Sequence, residues 1–309
     1  MRILPLNLIS TPLAVLSSLG LTLRVGLSSE DPMVGRNATE AYEAYLSVYS
    51  PEGLLLERIH LGQIPPSRRR FFDVSAIAGQ LVHGVDHLAV VHRIPSRLMA
   101  QVSNLEDEIE LETEADYSLF RSLVEYSYPQ GGNGSVIYET PPRLNAGGSG
   151  QKSSNTLTFT CQTLLSDVAD THVVLINYSV DPTYSRVASF SFVLHSQNGD
   201  EVASDSVAIG PFAIKTLDIA RLVPKHLIEK EKDPRDGSSA FTFVGYSDDA
   251  AILVVILNTA PALGGVAIEH THPPQAYLFP SDPRDQQNVK VEAENVWKTI
   301  LSAGRSVQR

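Results

Sequence analysis

The stretch NAGGSGQKSSN at residues 145–155 contains no large apolar side chain. Its glycines free the backbone, and its serine and asparagine residues favour solvent, so nothing in it can nucleate a hydrophobic core. It therefore predicts a flexible linker between two halves. A chain of 309 residues is long enough for two domains of ordinary size, each with its own core.

The two halves repeat the same turn signals in the same order. Residues 255–274 align without gaps on residues 123–142. The identical pairs in that alignment are Pro129/Pro261, Gly132/Gly264, Pro141/Pro273 and Pro142/Pro274. Further anchors are the turns at 50–53 and 196–199, and the pair Phe72/Leu217. Several anchors in one order predict a tandem duplication.

Each half contains about seven short segments of strand-like alternation, with turn signals every 8–12 residues. We therefore predict an all-β fold: two tandem antiparallel β-sandwich domains related by internal duplication, with a short C-terminal helix. Residues 68–77 and 216–219 are among the predicted strands. The predicted boundaries are a first sandwich at 1–144 with an acidic insertion near 96–121, a linker at 145–155, a second sandwich at 156–281 and a helical tail at 282–309.

In architecture this pattern resembles the immunoglobulin-like and fibronectin-type-III-like sandwich modules, and the resemblance covers both halves. It identifies no specific family. The Cys…Trp…Cys pattern of true immunoglobulin domains is absent, because the chain has one cysteine, Cys161, and one tryptophan, Trp297. A single cysteine also rules out an intrachain disulfide, which leaves the compartment open.

The two ends of the chain each allow two interpretations. The apolar stretch at 3–23 is interrupted by Pro5 and Pro12 and lacks the clean apolar centre of a secretory signal, so a first strand is favoured over a signal peptide. Near the other end, one helical stripe predicts an amphipathic helix, packed on its own second domain or docked on a partner protein. The stripe consists of Val289, Ala293, Val296, Trp297 and Ile300.

Composition restricts the class of partner. The net charge of −11 argues against a nucleic-acid backbone or an anionic membrane surface. No later segment is apolar over the roughly 20 residues that a membrane-spanning helix needs. The sequence therefore favours a protein partner or self-assembly.

His270 and His272 form the best candidate metal site. Residues i and i+2 of a strand point to one face, so both imidazoles could reach one transition metal, whereas Glu269 would join them only if the strand bends. The string 270–277 is similar to the first metal motif of cupins. In that motif a glutamate follows the second histidine after three or four residues, where this chain has Ala276 and Tyr277. Histidines at the end of a sandwich or at an interface are the favoured interpretation.

The other clusters give weaker signals. His83, His87 and His92 form a second cluster, in which His83 and His87 could chelate in a loop, but a solvated loop is favoured. The run at 106–116 has seven carboxylates and could hold calcium; without glycine, it is better explained as a solvated acidic face. Arg68–Arg70 would spread over both faces of a strand and make a weak anion site. Cys161 lies in a strand-like context that favours a buried apolar role over a nucleophilic one.

Three hypotheses about function follow. The first, which is preferred, is a non-enzymatic binding or assembly protein without a cofactor. The second is a metal-dependent enzyme or metal carrier that uses His270, His272 and Glu269. The third is carbohydrate binding through aromatic side chains near the first-half hairpin, namely Tyr126, Tyr128 and Tyr138; Trp297 is the candidate contact with a protein partner.

Overall fold

A computed structural model describes residues 2–29, 40–110, 122–138, 157–181, 183–247, 252–270 and 276–277. The first-half strands are β1 (Arg2–Ile3), β2 (Ser10–Val15), β3 (Thr22–Ser28), β4 (Tyr42–Tyr49), β5 (Leu55–Ile64), β6 (Arg69–Asp73), β7 (His87–Pro95), β8 (Ile109–Glu110), β9 (Ser122–Ser127) and β10 (Asn133–Tyr138). The second-half strands are β11 (Leu157–Leu165), β12 (Asp170–Asn177), β13 (Ala188–His195), β14 (Glu201–Ile209), β15 (Ala213–Asp218), β16 (Ser239–Ser247), β17 (Ile252–Ala260), β18 (Gly265–His270) and β19 (Ala276–Tyr277). Four short helices are α1 (Val74–Ala78), α2 (Ser96–Met99), α3 (Ile219–Leu222) and α4 (Lys225–Lys230).

The strands form four main antiparallel sheets, two in each half, so the predicted all-β, two-domain fold is confirmed. Sheet 1 has the order β10-β9-β3-β6, and sheet 2 has the order β2-β7-β4-β5. Sheet 3, β18-β17-β12-β15, repeats the order of sheet 1. Sheet 4, β19-β11-β16-β13-β14, repeats that of sheet 2 with β19 added. A small extra pair, β1 with β8, completes the pairing.

The backbone also repeats an unusual detail. The left-handed region holds two non-glycine residues in the part of the chain that is described, Ser67 (φ 53°) and Phe212 (φ 55°). Each lies in the turn just before one of the two equivalent strands, Ser67 before β6 and Phe212 before β15. Each of these strands leads directly into a short helix. Shared strand order and shared backbone strain agree with the duplication that the turn signals predicted.

Two predicted strands end earlier than expected, because the chain turns into helices. Residues 74–77 lie in α1 and Ile219 lies in α3. Asp73 explains the first case: its carboxylate accepts a hydrogen bond from the backbone N–H of Ala76 at 2.8 Å, as a helix N-cap does. Val74 and Ala78 then bury one side of α1.

The N-terminal apolar stretch belongs to the core. All six residues of β2 are buried, and β2 pairs with β7, which is also buried along its whole length. The favoured first-strand interpretation therefore describes this stretch, and its prolines lie at a 3-10 turn and inside β2.

Sheets 2 and 3 pack against each other in the middle of the molecule, and the edge strands β10 of sheet 1 and β18 of sheet 3 also meet directly. In β12, Val173 and Leu175 face the core of the second half, whereas Val174 and Ile176 join the core of the first half. β17 alternates in the same way. Burial of both faces explains the uninterrupted apolar runs of these strands. On either face, burying an apolar side chain stabilises the fold by about 1.5–3 kcal/mol.

Aromatic side chains and a close backbone approach hold the halves together. Phe212 stacks on Tyr49 with ring centroids 5.2 Å apart and meets Tyr178 and Tyr184 edge-on. Gly53 (φ 87°) lies so close to the second half that a Cβ there would be 1.9 Å from the Pro211 carbonyl oxygen. The predicted linker at 145–155 and the tail at 282–309 lie outside the described residues, so these segments and the predicted domain boundaries stay predictions.

Candidate interaction surface

The proposed metal ligands are only partly described. His270 ends β18 and pairs with Val255 across the sheet, and the neighbouring Glu269 pairs with Ile256. Glu269 is exposed, and His272 lies outside the described residues. Across the described ranges, no three His, Cys, Asp or Glu side chains are arranged to hold a metal ion. The metal hypothesis therefore stays a prediction.

Two of the three histidines interpreted as a solvated loop are buried, so that interpretation is wrong for them. His83 is exposed, but His87 and His92 are buried in β7. The Nδ1–H of His92 donates to the carbonyl of Leu6 at 2.7 Å, because a carbonyl can only accept, and Nε2 accepts from the hydroxyl of Ser47 at 2.8 Å. Burial lowers the pKa of His92 from 6.5 to about 4. His92 is thus a neutral structural residue.

The tyrosines proposed as a carbohydrate platform are also buried, which is a correction. Tyr126 is 2% exposed and Tyr128 is 6% exposed. The hydroxyl of Tyr126 donates to the carbonyl of Ala14 at 2.6 Å, which ties sheet 1 to sheet 2. The side chains of Tyr138 and Trp297 lie outside the described residues. Ordinary strand packing therefore accounts for Tyr126 and Tyr128.

The charged runs have structural roles where they are described. Of the acidic run, Ile109 and Glu110 form β8 with Ile109 buried, and Glu106 pairs with Arg58. Residues 111–121 lie outside the described part. Arg70 donates to the carbonyl of Gln63 at 2.6 Å and lies over the ring of Phe72. Cys161 is buried in β11, as its context predicted, and burial raises the pKa of its thiol to about 12.

A polar cluster joins the halves at the sheet 2–sheet 3 seam. Asp86 of the first half accepts hydrogen bonds from the Ser18 hydroxyl and from the Thr216 hydroxyl of the second half, both at 2.8 Å. His172 lies 3.0 Å from the hydroxyl of Thr259. Burial lowers the pKa of His172, and the carboxylates of Asp218, Asp170 and Asp86 oppose that shift. Sequence reasoning missed this cluster, because its members lie far apart along the chain.

Equivalent sheet faces differ sharply between the repeats. In sheet 3 the face toward the first half contains Val174, Ile214 and Leu257, as register and core membership show. The matching positions in sheet 1, taken from the same registers, hold Gly26, Arg69 and Glu125. The apolar face is covered by the other half, and the charged one is open.

The outer face of sheet 4 is uncharged over its three central strands. β11, β13 and β16 contain no Asp, Glu, Lys or Arg, although such residues make up 19% of the chain. Cross-strand register places the outward side chains in rows, which together we call the uncharged face. Its members are Thr160, Gln162, Ser189, Ser191, Val193, His195, Thr242, Val244 and Tyr246.

Val193 lies at the centre of the uncharged face. Its neighbours along β13, Phe192 and Leu194, point into the core of the second half, so Val193 points outward. Val193 is nevertheless only 1% exposed and is paired with Val244 across the sheet. The face therefore has an apolar centre surrounded by hydroxyl and amide groups. The absence of charge in three strands was the sequence signal that could have revealed it.

No family model matches this chain, and no curated protein matches it. Among solved structures it is similar to a glycosyl hydrolase family 2 member from Bacteroides cellulosilyticus, with 9% identity and a TM-score of 0.18, over 87% of this chain and 28% of that chain. A family 2 β-glucuronidase gives 8% identity and a TM-score of 0.18, over 87% and 23%. The β-D-glucuronidase of Dictyoglomus thermophilum gives 11% and 0.16, over 87% and 36%. The chain thus spans between 23% and 36% of their lengths, and the likeness assigns no activity.

In the described ranges, no helix has the length and apolar character needed to cross a membrane.

Proposed function

We propose that this chain is a non-enzymatic binding or assembly protein of two immunoglobulin-like sandwiches, and that the uncharged face is its contact surface for another protein. The observation that carries the proposal is the absence of charged residues from β11, β13 and β16 in a chain with a net charge of −11. The centres of protein interfaces are depleted of charged residues, whereas solvated sheet faces usually carry them.

The duplication supports this assignment. Sheet 4 is the counterpart of sheet 2, and the outer face of sheet 2 already packs against another sheet, sheet 3. The contact is head-to-tail, because it joins sheet 2 of the first repeat to sheet 3, the counterpart of sheet 1, in the second repeat. The outer faces of sheet 1 and sheet 4 are therefore the two equivalent faces that this contact does not use. The unused face on sheet 1 is charged, with Arg24 and Glu125 paired at 3.6 Å, whereas the one on sheet 4 is not. Sheet 4 is therefore the better docking surface.

A photo-crosslinking amino acid placed at Ser191 is expected to give one adduct of defined mass with a protein partner or with a second copy of the chain in the native cell. Thr242→Lys should abolish that adduct, because it puts an ammonium group in the middle of an uncharged interface. A crosslinker at Glu125, on the outer face of sheet 1, is the matched control. Equal adducts from both positions, or an adduct that survives Thr242→Lys, would contradict the proposal.

Elemental analysis of protein purified without a tag or added metal is expected to find no stoichiometric transition metal. The reason is that the described residues bring no three His, Cys, Asp or Glu side chains together, as a metal site would need. About one metal per chain, lost together in His270→Ala/His272→Ala, would replace the binding proposal with the metal-dependent one. His195→Ala on the uncharged face serves as the control, since it removes a histidine without touching β18.

A further inference from the structure

We propose that the seam between the two halves is a binding site for a small hydrogen-bond donor, a water molecule or an ammonium ion, held by His172, Asp218 and Tyr128. The site goes beyond the proposed function, because it shares no residue with the uncharged face. Three side-chain atoms at the seam are buried and have no hydrogen-bond partner among the described residues: Nδ1 of His172, Oδ1 of Asp218 and the hydroxyl oxygen of Tyr128. Buried polar atoms in native proteins nearly always have a partner, so three unpartnered atoms in one cluster indicate an occupant that they share.

The three groups lie together where the halves meet. His172 on β12 is directly opposite Asp218 on β15, so both side chains leave sheet 3 on one face. That face is turned toward the first half, because Val174, two residues further along β12, belongs to the core of the first half. Tyr128 comes from the first half, is 6% exposed, and its hydroxyl lies near Thr259. Since the hydroxyl of Thr259 is also 3.0 Å from Nε2 of His172, one occupant can contact both halves.

The hydrogen bonds already made define what the occupant has to supply. The hydroxyl of Thr259 donates to a backbone carbonyl at 3.4 Å, so it accepts from the Nε2–H of His172 and leaves Nδ1 as a bare acceptor. Burial of His172 lowers its pKa and favours this neutral form. In Asp218, Oδ2 accepts from the guanidinium of Arg221 at 3.0 Å, and Oδ1 is a second bare acceptor. Two acceptors on opposite residues require a molecule with two donors.

The charge at the seam restricts the occupant further. Three carboxylates act on the imidazole of His172, and the guanidinium of Arg221 acts against them. The carboxylates belong to Asp218, Asp170 and Asp86. This excess of negative charge disfavours an anion, and a metal ion does not fit, since the described ranges bring no three His, Cys, Asp or Glu side chains into a metal-binding arrangement. Water and ammonium each carry at least two donors, and a buried water typically makes about three hydrogen bonds to such groups.

Asp218→Asn tests the site directly, because its amide N–H can donate to Nδ1 of His172 without any occupant. Magnetic relaxation dispersion of the water signal counts buried, long-lived water molecules. If the occupant is water, we expect the wild-type protein to hold one more such molecule than Asp218→Asn does. Asp205→Asn changes an exposed residue of β14 in the same way and should leave the count unchanged. Far-UV circular dichroism confirms that each variant is folded.

The ammonium alternative is tested by thermal unfolding in ammonium chloride and in sodium chloride at equal concentration. If the occupant is ammonium, the Tm of the wild-type protein should rise saturably with ammonium only, and the Tm of Asp218→Asn should not. Tyr128→Phe removes the hydroxyl alone. It should weaken the ammonium effect, or shorten the residence time of the buried water, severalfold, because the occupant loses its bond to the first half.

Two results would overturn the inference. In the nitrogen NMR spectrum of the wild-type protein we expect the proton of His172 on Nε2 and none on Nδ1; a proton on Nδ1 would let the imidazole donate to Asp218 without an occupant. The second result is an equal water count in the wild type and in Asp218→Asn, together with equal Tm values in the two salts. The NMR measurement uses the wild-type protein, so it decides the matter even where Asp218→Asn does not fold.

Discussion

Replacing Ile176 by aspartate is expected to unfold both halves of the chain together. Ile176 is fully buried in β12, yet its side chain belongs to the core of the first half. Removing such a side chain costs about 2–5 kcal/mol, and an unpaired buried carboxylate adds several more. The sum is comparable to the whole stability of a domain, about 5–15 kcal/mol. Urea unfolding followed by circular dichroism measures the loss.

The matched control is Leu123→Asp, which makes the same kind of change on the outer face of sheet 1. Leu123 is half buried and is not part of the core that the two halves share, so we expect a loss of about 1–2 kcal/mol. In the wild-type protein the shared core should give one cooperative transition. Two separated transitions, or an Ile176→Asp variant that loses no more stability than Leu123→Asp, would show that the halves do not share a core.

The fold was largely predictable because strands impose a strict period of two. The alternation around Val25 and Phe72, and the turn signals between strands, were enough to predict the sandwich and the duplication. The stacking of the two halves was not predictable. A strand such as Val173–Asn177 is apolar on both faces, which indicates double burial but does not say what covers the second face. Only the cross-strand registers identify Val174 and Ile176 as the contact with the first half.

The candidate surface was harder to predict than the fold. Sequence reasoning looks for residues that carry chemistry, and it selected His87, His92, Tyr126 and Tyr128, all of which are buried. A histidine or tyrosine hydroxyl can satisfy its hydrogen bonds inside a sheet stack, and residue type alone does not separate that role from a ligand site. The uncharged face is recognised in a different way, by the absence of Asp, Glu, Lys and Arg from three strands. Recognising it required knowing that β11, β13 and β16 are neighbours.

Stability is expected to fall as the pH is lowered from 7 to 4, with His92 as the largest single cause. The pKa of His92 is about 4 in the folded protein and near 6.5 when unfolded, because burial disfavours the charged form. Between these values the unfolded chain binds a proton that the native chain does not bind, so the free energy of unfolding decreases. A shift of this size amounts to about 3 kcal/mol. The pKa values of His87 and His172 are also lowered, and act in the same direction.

Two measurements test the assignment to His92. Because His92 donates to the Leu6 carbonyl through Nδ1, His92→Asn can keep that hydrogen bond while removing the titration. The variant is expected to be less stable than wild type at pH 7 but to lose roughly 3 kcal/mol less on going to pH 4. Asp170, whose pKa is raised by burial, opposes the trend and remains in both proteins. NMR titration of the His92 imidazole in the wild-type protein gives an independent value. An imidazole that titrates near 6.5, or a variant with an unchanged pH dependence, would mean that His92 is not the group that couples protonation to the stability of the fold.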